Sequence, residues 1–528
     1  MPFINLATRA MALAALAMLL APLASAEPLA LHTRGLVKTS EWVPPPKGHT
    51  KLDPPVSQRP YTFVYKTAEW DPAKTAIIVC DMWDTLKNQI PADRVAELAP
   101  RMNGVLQAAR ARGVLIIHAP SGTTDFYAGT PQRARCLNAA PVETDPPLQW
   151  NHLNPDREAP LPIDDSDNGW EGPLIEEQKQ TRQHPAIEIG EEDAIGEGKE
   201  VYYLLKERGI ENVILMGVHT NMCILGRPFG IRQLSYLGMN VLLMRDMTDS
   251  LYNPEMAPKV SHYRGTELVI EHIEKYWCPT VLSTDFTGEP AFRFKGDPRP
   301  HVVFVVSDDH YHADKTLPEF AQILREEHGI HATVLHGEGG HNIPGTENLQ
   351  TADAAVVYVR RLGPPPAQIQ ALKDYVASGK PLVALRTASH AFKLKNAPDG
   401  SYEVPEGQAE WPDFDPAILG GSYRGHEAND LESDIRNINN DHPIMEGVEP
   451  AEWHSKGSLY NAAPIADDAI LLQEGTVPGV VEPVTWIREA TDGRGKVFYT
   501  SLGYPDDFQE PAFRRLLVNA IDWALGRR

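Results

Sequence analysis

The 528-residue chain has few cysteines and a deficit of basic residues. Its four cysteines are widely spaced and include no CxxC pair, so neither a disulfide framework nor a cysteine-based zinc site is expected. Lys and Arg number 49 against 71 Asp and Glu, which gives a formal net charge of -22. Nucleic acids and anionic membranes attract clustered basic residues, so neither is an expected partner.

Long apolar runs are also rare, and the one candidate lies at the start of the chain. Arg9 precedes the run AMALAALAMLLAPLA, and the small residues ASA follow just before Glu27. A basic start, a short apolar core and small residues at a cleavage point are typical of a secretory signal peptide. We therefore predict that residues 1–26 are a signal peptide and that the mature protein is exported, periplasmic or extracellular, without membrane contact. An uncleaved anchor is the alternative.

The remaining chain predicts two domains. Residues 27–69 are rich in proline, which excludes regular helix, and we interpret them as an N-terminal arm. Strands that are apolar throughout (KTAIIVC, VLIIHAP, NVILMGV, NVLLMRD) then alternate with helical segments, and the alternation restarts at HVVFVVSDD. This pattern indicates an α/β fold with two three-layer α/β/α domains and mainly parallel sheets, at 70–279 and 300–528. The proline- and glycine-containing stretch 280–299 is the predicted linker.

Two polar residues follow strands of the first domain. Asp81 comes directly after AIIVC, and Cys223 lies in a turn after VILMGV. Function gathers at the carboxyl ends of parallel strands, so the two side chains are expected to converge. A carboxylate beside a thiol can take its proton and pass it to a leaving amine. The alternatives are that Cys223 is a small buried apolar residue and Asp81 a helix N-cap.

The motifs around these residues resemble those of the isochorismatase-like cysteine hydrolases, a superfamily that includes nicotinamidases and other amidases. Asp81-Met82 and the stretch GVHTNMC, which ends at Cys223, carry the resemblance. Over about 70–278 it implies a three-layer α/β fold, Cys223 as nucleophile and Asp81 as general base. It also implies an oxyanion hole of backbone amides near Cys223, often with a cis peptide near Val218-His219. We expect no cofactor and no metal, since His118 and His152 do not supply a nicotinamidase-type metal pattern.

One expected residue is missing. The family's third catalytic residue is a lysine at the end of the middle strand, but the corresponding stretch HPAIEIGEEDAIGEG places Glu188 or Ile189 there, and Lys199 lies further on. Another cation would have to stabilise the thiolate, and the candidates are His219, Arg227 and Arg182. Glu188, if it faced the sulfur, would raise the thiol pKa. Two of these have structural alternatives, since His219 could be a hydrogen-bonded core histidine and Arg227 the anchor of a carboxylate.

Residues 300–528 resemble a ThuA-like domain, a branch of the class I glutamine-amidotransferase-like fold associated with sugar utilisation. The motifs VVSDDHYH, ALRTASHAF, ILGGSYRGHE, NNDHPIMEGV and KVFYTSLGYPDDF carry the resemblance. An active amidotransferase needs an elbow cysteine, whereas this elbow offers Ala388, Ser389 and His390, and no cysteine follows Cys278. Thiol chemistry is therefore excluded from this half.

Histidines are the candidate ligand residues of the second domain. We predict that four of them line a polar ligand pocket: His312, His390, His426 and His442. A Ser389 nucleophile with His390 or His426 is a weaker alternative, and in another the histidines only form turns and helix caps.

The first functional hypothesis is an exported cysteine hydrolase that acts on an amide or related C–N acyl bond of a small molecule. Its ThuA-like half would bind a carbohydrate-related ligand, and a homo-oligomer is possible. The alternatives are a non-catalytic binding or scaffold protein built from two degenerate enzyme folds, and a protein in which only the ThuA-like half acts, on a sugar derivative.

Overall fold

The computed structural model describes residues 27–42, 57, 59–169, 171–172, 179–308, 310–395, 400–429, 431–491 and 494–528. The predicted signal peptide at 1–26 lies outside these ranges. Within them, no helix combines the length and the apolar character needed to cross a bilayer.

The first half of the chain is built on an eight-stranded sheet. Its strands are β1 (Leu29–Lys38), β2 (Tyr61–Trp70), β3 (Thr75–Cys80), β4 (Leu115–Ala119), β5 (Ala194–Ile195), β6 (Asn212–Val218), β7 (Asn240–Asp249) and β8 (Thr280–Val281). They lie side by side in the order β2-β1-β8-β7-β6-β3-β4-β5. The strands from β8 to β5 run parallel, while β1 is antiparallel to both of its neighbours.

Helices cover both faces of this sheet. They are α1 (Gln89–Ala111), α2 (Pro131–Leu137), α3 (Lys199–Glu207), α4 (Cys223–Gly226), α5 (Ile231–Tyr236), α6 (His262–Tyr276) and α7 (Thr284–Thr287). All six residues of β3 are buried. Ile77 and Val79 join the α1 core on one face, whereas Ile78 and Cys80 join the core on the other. A strand buried on both faces has no polar positions to alternate with, which explains its continuous apolar sequence.

The second half contains a nine-stranded sheet and its own helices. The elements are β9 (His301–Ser307), β10 (His331–His336), β11 (Ala354–Val359), β12 (Leu382–Leu385), β13 (Ser433–Asn437), β14 (Glu452–Ser455), β15 (Ala469–Val477), β16 (Val480–Arg488), β17 (Val497–Thr500), α8 (Ala313–Glu327), α9 (Pro366–Ala377) and α10 (Pro511–Ala524). The strand order is β10-β9-β11-β12-β17-β16-β15-β13-β14.

Only part of this second sheet is parallel. Neighbouring strands pair parallel from one edge of the sheet, β10, through β9, β11 and β12 to β17. Beyond β17, the neighbouring strands β16, β15, β13 and β14 all pair antiparallel. The predicted α/β class is confirmed, and both sheets are mixed, with antiparallel strands beside the parallel ones. Strand β13 escapes recognition because its burial alternates and it lacks a continuous apolar run.

The segment predicted as an N-terminal arm is largely part of the first sheet. Strands β1 and β2 pair over ten residues each, from Leu29 opposite Trp70 to Lys38 opposite Tyr61. Leu29 and Leu31 are fully buried and lie on one face of β1. The proline cluster lies between the two strands, and most of it, 43–56, is outside the described residues. The proline content of this segment hid the alternating strand pattern of the residues on either side of it.

The predicted linker also contributes structure. Strand β8 lies between β1 and β7, and α7 contacts α1 and β1, so the first sheet includes residues beyond 279. The two halves touch directly: Glu267 accepts hydrogen bonds from Arg299 at 2.7 Å and His331 at 2.8 Å, and the Ala291 amide donates to Asn348 at 2.9 Å.

A close approach of β3 and β6 sets the geometry of one sheet edge. Cys80 lies opposite Gly217 in the pairing of these strands. Gly217 has a φ of +114°, and a Cβ atom there would lie 2.0 Å from the Cys80 carbonyl oxygen. Only glycine fits this position. The contact holds the end of β3 beside the turn that follows β6.

We predict that Gly217→Ala lowers the free energy of unfolding by roughly 3 kcal/mol or more, because the new methyl group must displace backbone. The measurement is urea unfolding of the full-length chain. Gly238→Ala is the control, since Gly238 also has positive φ, at +72°, but a Cβ atom there would meet no other atom within 4 Å. It should cost about 1 kcal/mol. Equal losses in both variants would contradict the steric argument.

Candidate active site

Asp81 lies at the carboxyl edge of the first sheet, directly after β3. It adopts a positive φ of 50° and is fully buried. Its Oδ1 accepts a hydrogen bond from the Ser121 amide at 2.9 Å, and its Oδ2 accepts from Arg227 Nη2 at 2.7 Å and Nε at 3.1 Å. The Cys223 thiol lies close enough to this carboxylate for each group to shift the pKa of the other. The structure thus brings together three of the residues considered in the sequence.

Cys223 is the first residue of α4, and the turn before it is tied to the end of β7. The Thr220 amide donates to the Asp249 carbonyl at 2.9 Å, and the Thr220 and Thr248 hydroxyls lie 2.7 Å apart. The Val218–His219 peptide bond is cis. Cys223 is 9% exposed, whereas Cys80 and Cys136 are fully buried and Cys278 is 5% exposed. Cys223 is therefore the cysteine nearest to solvent.

Burial and the ion pair together set the charge state of this group. Burial and the Asp81 charge together raise the pKa of the Cys223 thiol to about 12, against the lowering effect of Arg227. Burial also raises the Asp81 pKa, against the lowering effect of Arg227. The thiol is therefore protonated at neutral pH, and the Asp81 carboxyl group and the Arg227 guanidinium lie 2.7 Å apart.

His219 does not supply the cation that the sequence suggested. It is 5% exposed, and burial lowers its pKa to about 4. The charged groups that act on it most strongly are Asp249, Arg94 and His262, none of which belongs to the Cys223 group. At neutral pH its imidazole is uncharged, because charging it would require taking a cation out of water.

Glu188 does not face the sulfur. It accepts a hydrogen bond from Gln107 at 2.9 Å, and its carbonyl accepts one from Arg110 at 2.7 Å. Both donors belong to the last turns of α1, which lead into β4, so Glu188 lies toward the opposite edge of the sheet from Asp81. The prediction that Glu188 or Ile189 lies at the end of the middle strand was wrong. The middle strand is the two-residue β5, and Gly196 and Glu197 follow it.

Glu197 is the acid that occupies the strand end expected to carry the lysine. Its carboxylate accepts a hydrogen bond from the Gly122 amide. The adjacent Ser121 amide is the one that binds Asp81. A second carboxylate therefore binds the amide that follows the one bound by Asp81.

Two tryptophans contact the residues that bind Asp81, and a third aromatic residue, Phe126, lies beside Arg182. The Arg227 guanidinium lies 5.4 Å from the Trp150 ring, and Trp83 donates to the Ser121 carbonyl at 3.1 Å. Arg182 is exposed and lies 5.3 Å from the Phe126 ring. Phe126 is 57% exposed and Trp150 37% exposed. These aromatics were not predicted from the sequence, although the tryptophan in DMWD directly follows the Asp-Met motif.

A buried carboxylate fixes the long insertion that carries Trp150. Glu158 accepts hydrogen bonds from Arg232 at 2.7 Å, His272 at 2.8 Å and Trp277 at 2.8 Å. These partners overcome burial and lower the Glu158 pKa to about 2. Arg232 also donates to the Asn151 carbonyl at 3.1 Å, next to Trp150. The segment around Trp150 is therefore anchored to the core.

Arg386 is the centre of a second polar group, in the other half of the chain. It is the first residue after β12, has a φ of 42° and is 1% exposed. Its guanidinium lies 4.2 Å from the Tyr311 ring and 4.7 Å from the Tyr460 ring, and Nη1 donates to the Ser501 carbonyl at 2.9 Å. Its Nε and Nη2 have no partner among the described residues. Arg386 was not among the residues predicted from the sequence.

Two of the four candidate histidines join this second group. His390 lies 4.5 Å from the Tyr423 ring, and His426 accepts or donates a 2.6 Å hydrogen bond with the Tyr423 hydroxyl. His312 instead precedes α8 and lies 6.1 Å from Trp42. His442 accepts a hydrogen bond from the Ile444 amide and lies 6.1 Å from Trp523. Ring contacts and a hydrogen bond thus connect His390 and His426 with Tyr423, whereas His312 and His442 begin helical turns, and the four-histidine pocket stays a prediction.

Ser389 lacks the partner that a nucleophile would need. Its hydroxyl donates to the Arg386 carbonyl at 3.1 Å and accepts from Tyr499 at 2.9 Å. Neither contact is a general base. Across the described ranges, no group of three or more His, Cys, Asp or Glu side chains has an arrangement that could hold a metal ion.

Comparison with known families agrees with this division of the chain. Residues 75–259 match the isochorismatase domain model, and residues 302–524 match the ThuA, or trehalose utilisation, model. No curated protein matches the chain.

Solved structures resemble each half separately. A putative ThuA-like protein from Bacteroides uniformis is 17% identical, with 44% of this chain and 94% of that chain covered and a TM-score of 0.33. A cysteine hydrolase from Pseudomonas syringae is 17% identical, with 41% and 92% covered and a TM-score of 0.27. An isochorismatase family protein from Desulfovibrio vulgaris is 17% identical, with 38% and 89% covered and a TM-score of 0.23.

The raised thiol pKa predicts an unusual pH profile for alkylation of Cys223. Because burial raises that pKa to about 12, the rate with iodoacetamide should keep rising from neutral pH to about pH 10. A free cysteine would level off above about pH 8.5. Peptide mapping by mass spectrometry gives the rate at each cysteine, and Cys223 should react first.

Replacing the cation should slow this reaction further. Arg227→Met removes the charge that lowers the Cys223 pKa, so alkylation should slow by about tenfold at neutral pH. Arg182→Met, at an exposed position, is the matched control and should change little. A plateau near pH 8.5, or equal rates in both variants, would show that Arg227 does not control the thiol.

Proposed function

Because the chain joins an isochorismatase-like domain to a ThuA-like domain, we propose that its first half is a cysteine hydrolase. It would cleave an amide or related C–N acyl bond of a small molecule. The observation that carries this proposal is the position of the Cys223 thiol beside the buried Asp81 carboxylate, where each group shifts the pKa of the other, so that the nucleophile has a neighbouring base.

In the first half-reaction, Asp81 takes the thiol proton as the Cys223 sulfur attacks the acyl carbon. The tetrahedral intermediate collapses when the C–N bond breaks, and the leaving nitrogen takes the proton from Asp81. An acyl thioester remains on Cys223. The raised pKa of Asp81 suits this work, because the carboxyl group must hold a proton between the two steps.

In the second half-reaction, water attacks the thioester while Asp81 accepts one of its protons. The C–S bond then breaks, the carboxylic acid product leaves, and the thiolate takes the proton back from Asp81. The overall reaction consumes one water molecule and needs no oxidant or reductant. Protein and substrate atoms balance in both halves.

Arg227 would compensate charge throughout this cycle. Proton transfer from Cys223 to Asp81 moves one negative charge from oxygen to sulfur and leaves the net charge of the group unchanged. A guanidinium beside both atoms can stabilise either form, which is the task of the missing lysine. The pairing with Asp81 at 2.7 Å is thus the resting arrangement.

Exposed aromatic side chains support a flat or apolar substrate. Phe126 and Trp150 offer exposed aromatic surface, and the exposed Arg182 lies 5.3 Å from the Phe126 ring. Aromatic rings contribute by burying apolar area and by stacking. We propose that these residues select the acyl group.

The test of this proposal is the release of ammonia from a panel of small aliphatic and aromatic carboxamides. Cys223→Ser and Asp81→Asn should each lower kcat/KM at least about a hundredfold, because each removes a participant in proton transfer. Intact-mass spectrometry of the Asp81→Asn protein should show whether an acyl group stays on Cys223. Cys136→Ala is the control, since Cys136 is buried away from this group, and it should retain activity.

A second candidate function is binding without turnover. The observation that favours it is the protonated resting thiol, whose pKa burial raises to about 12. If no carboxamide is hydrolysed and no acyl group forms on Cys223, the hydrolase proposal fails and the domain is better described as a binding module on a hydrolase fold.

For the second half, we propose that the group around Arg386, His390 and Tyr423 binds a small polar ligand of carbohydrate type. Buried hydrogen-bonding groups beside aromatic rings suit a polyhydroxylated molecule, since such sites pair apolar surfaces with a few placed polar atoms. The unpartnered Arg386 Nε and Nη2 and His390 Nδ1 are the donors and acceptors that support this proposal.

Calorimetric titration with trehalose and glucose tests the ligand class. His390→Gln should weaken binding at least about tenfold, because it removes a buried polar partner. His442→Gln is the control, since His442 belongs to a distant helical turn, and it should bind like the wild type. Absence of binding by both sugars would contradict the carbohydrate assignment.

A further inference from the structure

A cavity of about 110 Å³ lies between the two halves of the chain. Arg34, Tyr65 and Arg245 from the first sheet line one side, and Arg325 of α8 lines the other. Asp81, Cys223, Arg227 and Arg386 do not line it, so it is separate from both polar groups described above. It has about the volume of three to four water molecules at roughly 30 Å³ each, which is room for a small ion.

Most charged groups on the cavity wall have partners of opposite charge. Arg34 pairs with Glu274 at 2.8 Å, and Arg299 pairs with both Glu267 at 2.7 Å and Asp297 at 2.8 Å. The remaining acids are also engaged: Asp249 with Arg94 and His262, Glu271 with Arg264, and Asp246 with Ser283 and the Phe292 amide. Glu274 Oε2 has no hydrogen-bond partner among the described residues, and the charge of Glu274 acts on Arg245, but no acid of the described residues forms an ion pair with Arg245 or Arg325.

Two arginines are not compensated in this way. Arg325 is 4% exposed, and its Nε donates to the Ala332 carbonyl at 3.3 Å, but its Nη1 and Nη2 have no partner in the part of the chain that the structure describes. Arg245 donates to the Thr280 hydroxyl at 3.2 Å and forms no ion pair among the same residues. The Tyr65 hydroxyl, on the same wall, is also buried without a partner.

Burying these two guanidinium groups without a counter-ion costs folding free energy, unless a bound ligand supplies the missing charge. A buried charge without a counter-charge loses its hydration, and Arg34 adds repulsion to both arginines. Burial lowers the pKa of Arg245 to about 10, so it still carries its charge at neutral pH. The aromatic ring of Phe63, 5.0 Å from the Arg325 guanidinium, offers only weak compensation.

We propose that this cavity is a binding site for a small oxyanion, a phosphate or carboxylate group. The parallel N–H groups of a guanidinium match two oxygens of such a group, and Arg325 has that pair available. Arg245 supplies a second charge, and the Tyr65 hydroxyl supplies a neutral donor. The cavity volume limits the ligand to a small anion or to the anionic end of a longer molecule.

An oxyanion bound in this cavity would connect the two halves of the chain. Arg325 belongs to α8 of the second half, whereas Arg245 and Tyr65 belong to β7 and β2 of the first. An anion bound between them adds attraction across the interface without any change of fold. Binding to the folded protein alone also stabilises it by mass action.

The experiment uses the full-length chain, dialysed into a chloride buffer at constant ionic strength. Calorimetric titration and thermal unfolding are followed with inorganic phosphate and, separately, with succinate. At least one anion should bind and raise the unfolding midpoint. A response to phosphate alone or to succinate alone supports the site and identifies the group that it prefers, while chloride at equal ionic strength is the control for general salt effects.

Variants separate a ligand-binding arginine from a structural one. Arg325→Met keeps the length of the side chain but removes the charge, so anion binding should weaken at least about tenfold. Without added anion this variant should unfold at the same temperature as the wild type or higher, because it lacks an uncompensated buried charge. Tyr65→Phe should weaken binding by a few-fold. Arg436→Met is the control, since Arg436 is exposed on β13, pairs with Glu474 and should leave binding unchanged.

Three results would overturn the proposal. The first is no binding of phosphate or succinate to the wild type at millimolar concentrations. The second is undiminished binding by Arg325→Met. The third is a lower unfolding midpoint of Arg325→Met in chloride together with no anion effect on the wild type, which would make Arg325 a structural residue.

Discussion

The buried carboxylate of Asp81 is the constraint around which the first site is organised. An ionised carboxylate that has lost contact with water must be compensated by hydrogen bonds and opposite charge. The Ser121 amide, the Arg227 guanidinium and the Cys223 thiol provide this compensation, and they come from three separate parts of the chain. The Gly217 contact and the anchored insertion both serve to hold these parts at one edge.

The convergence of Asp81 and Cys223 could be predicted from sequence because it depends only on parallel strands whose apolar residues are unmistakable. The cation that compensates the Asp81 charge could not be identified from the sequence, since charge alone did not distinguish Arg227, Arg182 and His219. In the structure, burial makes His219 neutral, and Arg227 is the residue in contact with Asp81. The position of Glu188 was misjudged because the insertion has no periodicity and its strand is two residues long. Likewise, β13 of the second sheet was hidden by its alternating burial.

The two halves use the same backbone position with opposite charge. Asp81 and Arg386 are each the first residue after a fully buried parallel strand, and each adopts a positive φ, of 50° and 42°. Such a position turns the side chain away from the course of the strand in a conformation that few side chains adopt. A carboxylate there suits proton transfer, whereas a guanidinium suits the binding of electron-rich groups. The shared architecture therefore does not imply shared chemistry.

The pairing of β1 has a consequence for how the protein is made. Arg34 on β1 lies opposite Thr280 on β8, and these residues are 246 positions apart. During synthesis the β1–β2 pair leaves the ribosome first, yet the edge of β1 that β8 will cover stays unpaired until nearly all of the first half has been translated. An open strand edge can recruit other chains during that interval. The first sheet thus needs strands from both ends of the first half of the chain. Slow translation or crowding of nascent chains would prolong the time during which the edge of β1 is exposed, and would favour misassembly there even though that edge is covered in the folded sheet.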